Sequence, residues 1–347
     1  MKDLKELNRD ELIDEFKEAG FPSYRGEQVF NWLYKNGVST TEEMKNIPKK
    51  MRKYIDENYN LSDIKEINRS VAVDGTVKYL WELNDGENIE GVYLPFPESG
   101  RHSACISTQV GCGLGCSFCA TGIDGLQRNL TAGEIVDQVI KVQKDISGSN
   151  FAEPRLSNVV FMGMGEPLAN FDNLMKAVEI INADQGLNIG MRKMTISTAG
   201  LVPEIKKLAQ VNDQIGLAVS LHAPNDRLRN KIMPINKKYS LNQLLSAVID
   251  YIEKTGRRVT FEYVLMDSVN DSPELSVQLA ELLRGINCHV NLIPANPVPE
   301  LGIERPVQKV IDSFYGTLQS NGIQVTLRKE MGTQIDAACG QLKRKEK

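Results

Sequence analysis

Short β-branched runs alternate with helical patterns over the latter two-thirds of this 347-residue chain, and that alternation limits the folds open to it. The strand-like runs are ACIST (104–108), NVVFM (158–162), KMTIST (193–198), IGLAVSL (215–221), RVTFEYVL (258–265), HVNLI (289–293) and IQVTLR (323–328). Between them lie segments of helical period. Thr131 and Glu134 form a capping box ahead of an apolar face made by Ile135, Val136, Val139, Ile140 and Val142. The segments 241–256 and 272–285 follow, the second with Ser272 as N-cap and Pro273 at the first helical position. Repeated β-then-α units give a parallel sheet with right-handed crossovers, hence an α/β fold. An open doubly wound sheet is one solution. The absence of a Gly-rich dinucleotide fingerprint after the first strand, and polar residues near most strand ends, favour a partial (β/α)6 TIM-like barrel. The site is then expected at the C-terminal ends of the strands.

The first hundred residues read differently, with helices expected at about 3–19, 25–35 and 41–57 and antiparallel strands near 70–83 and 89–95. We expect a mainly helical accessory module over 1–95 and the barrel over 96–347, packed together because no Gly/Ser linker divides them. No apolar run approaches the roughly 20 residues needed to span a bilayer. The N-terminus lacks the apolar stretch of a secretory signal, so a cytoplasmic protein with no membrane partner is expected.

Six cysteines in such a chain point to metal or redox chemistry rather than a disulfide framework. Cys112, Cys116 and Cys119 form a Cys-x₃-Cys-x₂-Cys run directly after the first strand of the alternating region. Three thiolates at this spacing can ligate three irons of a [4Fe–4S] cluster and leave the fourth iron open. The alternative is zinc, which wants a closed tetrahedron and usually two separated cysteine pairs. No second pair follows here, and Cys105, the one further candidate, belongs to the strand. Cys288 reads as a core residue.

The loop 105–122, with Phe118 before the last cysteine, is accompanied by FMGMGEPLAN (161–170), TISTAG (195–200), SLH (220–222), NLIPANP (291–297) and DAACGQL (336–342). Together these resemble the RlmN/Cfr family of radical S-adenosylmethionine (SAM) RNA adenine methyltransferases over about residues 20–342. The resemblance implies one [4Fe–4S] cluster per chain on Cys112, Cys116 and Cys119. It also implies SAM contacts from Gly165, Glu166, Ser197, Ser220, Leu221, His222 and Asn296. In this family one electron cleaves SAM to methionine and a 5′-deoxyadenosyl radical, and two SAM molecules are consumed per methylation. Cys339 is similar to the cysteine that carries the methyl, and Cys105 to the one that resolves a protein–RNA crosslink, leaving a Cys105–Cys339 disulfide. Glu90 matches the proton acceptor.

The resemblance further implies methylation of C2 of adenosine in the peptidyl-transferase region of 23S rRNA and 3′ of the anticodon in tRNA. A one-electron reductant such as flavodoxin or ferredoxin would serve it. The lead into the last cysteine, MGTQIDAACGQL, is similar to the RlmN type rather than to the Cfr type, which methylates C8. A non-catalytic RNA-binding protein with a structural metal is the alternative from another class, and it would need neither Cys105 nor Cys339. The net charge of −4 does not itself suggest a nucleic-acid partner. RNA contacts would come from local patches: Lys49, Lys50, Arg52 and Lys53; Arg192 and Lys193; Arg328 and Lys329; or Lys343, Arg344 and Lys345.

Overall fold

A computed structural model describes residues 1–147, 154–212, 214–296, 301–329, 331–337 and 340–342. Its centre is one ten-stranded sheet. In chain order the strands are β1 (Lys65–Val71), β2 (Val77–Glu82), β3 (Asn88–Phe96), β4 (Arg101–Cys105), β5 (Asn158–Phe161), β6 (Met194–Thr198), β7 (Gly216–Ser220), β8 (Val259–Leu265), β9 (Cys288–Pro294) and β10 (Val325–Leu327). They lie in the sheet in that same order. Strands β4 to β10 are parallel, while β1 to β4 form an antiparallel meander. The sheet is open, with β1 and β10 at its edges, so the partial barrel has the expected α/β character without closure.

Parallel strands are usually apolar on both faces. Here one face is mixed. Val159, Phe161, Met194, Ile196, Leu217, Val219, Phe261 and Tyr263 are buried in the core. The alternate positions Val160, Thr195, Ala218, Thr260, Glu262 and Asn291 instead line a cavity on the concave face. Period two thus divides each strand between core packing and a lined space. The Thr131–Glu134 box forms, with Thr131 N–H donating to Glu134 Oε2 at 2.9 Å, and Ser272 caps its helix through Leu275 N–H. Cys288 is buried as expected, and burial pushes its thiol up to about 11.

Residues 70–83, expected as one strand, form a hairpin. Its turn is Asp74-Gly75, with Gly75 at φ +83° and Asp74 Oδ1 accepting from Thr76 N–H at 2.9 Å. This is the strongest short hairpin signal a sequence carries. Because β1 to β3 are hydrogen-bonded into the main sheet, a boundary at 95/96 falls inside a continuous sheet. The helices are α1 (Arg9–Glu18), α2 (Tyr24–Tyr34) and α3 (Lys49–Asn58), all before that sheet begins.

The turn Leu4–Glu6, just ahead of α1, docks on α4 (Ala132–Ser147) through a buried ion pair. Lys5 Nζ lies 2.8 Å from Asp137 Oδ1 and 3.0 Å from Oδ2, and each residue is 1% exposed. Removing one member of such a pair strands a charge in low dielectric. Lys5→Met is expected to lower unfolding free energy in urea by about 3–5 kcal/mol, with Lys5→Met/Asp137→Leu recovering most of it. Equal losses in the single and double variants would show that packing, not charge, governs this contact.

Candidate functional site

The loop after β4 is folded by close backbone contacts. Gly111 sits at φ +74°, and a Cβ there would lie 1.9 Å from Gly125 O, so a side chain is excluded. Beyond it, Cys112, Cys116 and Cys119 line a cavity of about 160 Å³ at the C-terminal ends of the parallel strands. This is the end at which α/β barrels place their sites. Six of the seven SAM positions expected from sequence line that same cavity: Gly165, Glu166, Ser197, Ser220, His222 and Asn296. The seventh, Leu221, does not. Its side chain is in the core, and its carbonyl accepts from Arg229 Nε at 3.1 Å.

The electrostatics of the rim follow from burial. Desolvation raises Glu166 to about 7, although Ala199 N–H at 2.7 Å and Leu168 N–H at 3.2 Å donate to its oxygens. Gly165, at φ +102°, lies so close to Gln109 that a Cβ would be 2.5 Å from that side chain, and Gln109 Oε1 accepts from Glu166 N–H at 2.8 Å. His222 adopts φ +56°, a strained conformation for a non-glycine residue. Burial, with Arg229 nearby, lowers its imidazole to about 3. It is therefore neutral, and since Nδ1 accepts from Val264 N–H at 2.9 Å, the proton resides on Nε2. Phe118 packs edge-on against this ring at 4.7 Å between centroids.

The donor set, three cysteines of one loop lining one cavity, is of the kind that holds an iron–sulfur cluster. Among the described residues, no three His, Cys, Asp or Glu side chains converge to hold one metal ion. A cube distributes its thiolates over separate irons, whereas zinc gathers them at one point. Burial pushes Cys112 up to about 11 and raises Cys116 further, with Cys119 adding like-charge repulsion at both. Such thiols stay protonated until a metal displaces the proton.

A second cavity of about 530 Å³ adjoins the first, sharing Cys119, Glu262, Asn296, Arg328 and Gly340 in its walls. Cys105 lies here, opposite Val92 on one side and Val160 on the other. Cys339 is outside the described residues, but Ala337 and Gly340 both line this space. Upstream, Lys78 Nζ donates to Asp336 O at 3.2 Å and Gly332 N–H to Asp74 Oδ2 at 2.9 Å. Downstream, Ala120 N–H donates to Gly340 O at 2.8 Å and Thr121 Oγ1 to Leu342 O at 2.6 Å. Glu90 is 1% exposed and does not line the cavity. It lies one pleat deeper than Val92 on the same face, 3.3 Å from Lys78 Nζ.

Sequence reasoning missed Glu262 and Asn291, and it took Arg328 only as a surface cation. Asn291 Nδ2 donates to Glu262 Oε1 at 2.9 Å, and Arg328 stands 3.9 Å from Glu262 Oε2. Strand parity was the available signal, since each shares the face of Thr260, Ile293 or Thr326. Of the proposed basic patches, Lys49, Lys50 and Lys53 are exposed at the start of α3, while Lys343, Arg344 and Lys345 lie outside the described residues.

A model of the radical SAM superfamily matches residues 106–280, and one described as a ribosomal RNA large subunit methyltransferase N-terminal domain matches residues 2–61. A curated relative from Geobacillus kaustophilus, a "probable dual-specificity RNA methyltransferase RlmN", is 47% identical over 98% of this chain and 92% of its own length. One of the same description from Bacillus thuringiensis is 47% identical over 98% and 93%. A solved radical SAM methyltransferase from Sphaerobacter thermophilus superposes with a TM-score of 0.93 at 44% identity, covering 99% of both chains.

Proposed function

This chain belongs to the RlmN family of radical SAM RNA methyltransferases, and from that membership we propose that it methylates C2 of an adenosine by way of a methylated Cys339 and a transient protein–RNA crosslink. Its RNA substrates are 23S rRNA in the peptidyl-transferase region and tRNA at the adenosine 3′ of the anticodon. It works in the cytoplasm with a flavodoxin or ferredoxin as reductant. Among the described residues, no helix is long and apolar enough to cross a membrane.

The observation that carries this reading is one shared space. Cys105, Cys119 and the residues on both sides of position 339, Ala337 and Gly340, line a single cavity, and iron ligands and SAM positions line its extension. An adenine ring carbon is too weak a nucleophile to take a methyl from a sulfonium directly, so a thiolate must take it first. When bound, the cluster and SAM supply the electron and the hydrogen-abstracting radical. The Cys339 thiolate would take the methyl from one SAM by displacement, releasing S-adenosylhomocysteine. After losing a hydrogen atom to the 5′-deoxyadenosyl radical, that methyl would be presented to C2 as a carbon radical. The adduct radical would then lose one electron, returned to the oxidised cluster, and its C2 proton to Glu90. The Cys105 thiolate attacks the Cys339 sulfur, closing a disulfide and expelling the base, whose methylene takes up a proton to become the methyl group. Gly165, Glu166, Ser197, Ser220, His222 and Asn296 hold SAM, with the carboxylate of Glu166 suited to its ammonium and Nε2–H of His222 to an acceptor.

Nucleosides from 23S rRNA fragments and tRNA treated with the anaerobically reconstituted protein test the regiochemistry by mass spectrometry. 2-Methyladenosine is expected in both RNAs. 8-Methyladenosine would move the chain to the Cfr type, and unmodified RNA would contradict the reading.

A flipped adenosine needs backbone contacts around the cavity mouth. Neutralising Lys49, Lys50, Arg52 and Lys53 together is expected to weaken RNA binding and flatten its salt dependence, each lost phosphate contact removing about 0.7–0.9 from the log–log slope. An unchanged slope would assign the RNA surface elsewhere, first to Arg328 and Lys329 at the cavity wall.

A further inference from the structure

Arg229 is 0% exposed and belongs to no part of the mechanism above. It sits on α5 (Asp226–Ile232), a short helix capped by Asn225 Oδ1 through Leu228 N–H at 2.9 Å. Its guanidinium donates four hydrogen bonds. Nη2 reaches Ala199 O at 2.6 Å and Ser220 O at 3.0 Å, Nε reaches Leu221 O at 3.1 Å, and Nη1 reaches Asn236 Oδ1 at 2.9 Å. One side chain thus ties the C-terminal ends of β6 and β7 together.

The tie continues in both directions. Ala199 N–H donates to Glu166 Oε2 at 2.7 Å, which brings in the end of β5. On the other side, Ile232 O, at the last residue of α5, accepts from Ser117 N–H at 3.0 Å. Ser117 lies between Cys116 and Cys119. The same seven-residue helix therefore grips the loop of iron ligands with its backbone and the SAM-facing strand ends with its arginine.

The charge is unusual as well. All four acceptors are neutral, three carbonyls and an amide oxygen, and Asp226 is reached only through Asn236 Nδ2 at 2.8 Å. A buried cation held only by dipoles carries a large desolvation cost unless an anion lies close by. A cuboidal cluster on three thiolates is net anionic and grows more so on taking up an electron.

We propose that Arg229 is a positioning residue of the cofactor site, which fixes the SAM-binding strand ends against the iron-ligand loop and balances the anionic cluster with its buried charge. The proposal rests on the cluster and SAM occupying this cavity. The test uses the anaerobically reconstituted full chain and its Arg229→Gln and Arg229→Lys variants, with iron content, the cluster's midpoint potential from an EPR-monitored redox titration, and the SAM dissociation constant as readouts. Both variants are expected to keep their iron and to bind SAM roughly tenfold more weakly or worse. Arg229→Gln is expected to shift the midpoint potential to more negative values, whereas Arg229→Lys, which keeps the charge, holds it near the parent's. A merely structural brace would lower thermal stability while leaving potential and SAM affinity unchanged in the folded protein, and that result would overturn the proposal. Where neither variant folds, Asn236→Ala removes one acceptor and keeps the charge. It should weaken SAM binding at an unchanged potential, and parental affinity there would overturn the proposal too. A parent protein that takes up no iron would overturn the cofactor assignment itself, and the role of Arg229 with it.

Discussion

Anaerobically purified protein is expected to be brown and to carry about four irons per chain, and Cys112→Ala, Cys116→Ala or Cys119→Ala each to lose most of that iron and all SAM cleavage. The effect is large because, among the described residues, neither Cys105 nor Glu166 is placed to serve as a substitute ligand. Cys105 is buried on β4 and faces the adjoining cavity, not the pocket lined by Cys112, Cys116 and Cys119. Glu166 is engaged by the Ala199 and Leu168 amides. Two remaining thiolates cannot hold a cube whose fourth iron is already without a protein ligand. Stoichiometric zinc with no iron in the parent protein would contradict the assignment and restore the structural-metal alternative.

Much of the fold was legible because each signal was local. Period-two runs separated by capped helices gave the parallel strands in the right order, and three glycine-spaced cysteines marked a loop that lines the smaller cavity. The hairpin at Asp74-Gly75 was legible from its Asp-Gly pair, although residues 70–83 were expected as one strand. That β1 to β3 join the main sheet was not legible. Helices and antiparallel strands read alike whether they form a separate module or extend a neighbour's sheet, and only hydrogen bonds such as those of the Val92–Cys105 pair decide it.

The site divides in the same way. Residues inside short motifs, such as Gly165 and Glu166, met the cysteines in one cavity, while Leu221 turned into the core because its neighbours Ser220 and His222 take the cavity side. Glu262 and Asn291 were invisible as site residues because a carboxylate and an amide within apolar runs acquire meaning only once the strands are registered, which sets Glu262 beside Asn291. Arg229 is the extreme case. Charged and set in the sequence DRLRNK, it reads as a solvated helix face, yet it is among the largest fully buried side chains in the molecule. Its burial follows from four acceptors supplied by three different segments, which no local pattern records.

The division of labour between two cysteines far apart in sequence is the account's central claim, and a denaturing gel of reconstituted protein incubated with SAM, reductant and RNA tests it most directly. Cys339→Ala is expected to keep its cluster and migrate as free protein, having no sulfur on which to carry the methyl. Cys105→Ala is expected to load the methyl, bond to the adenosine and stop there, because the thiolate that would attack the crosslink is gone. It should migrate as an RNase-sensitive, RNA-linked band. Both variants turn over no RNA, yet the two lanes look opposite. A Cys105→Ala protein that turns over normally, or one that never crosslinks while its cluster is intact, would contradict the account.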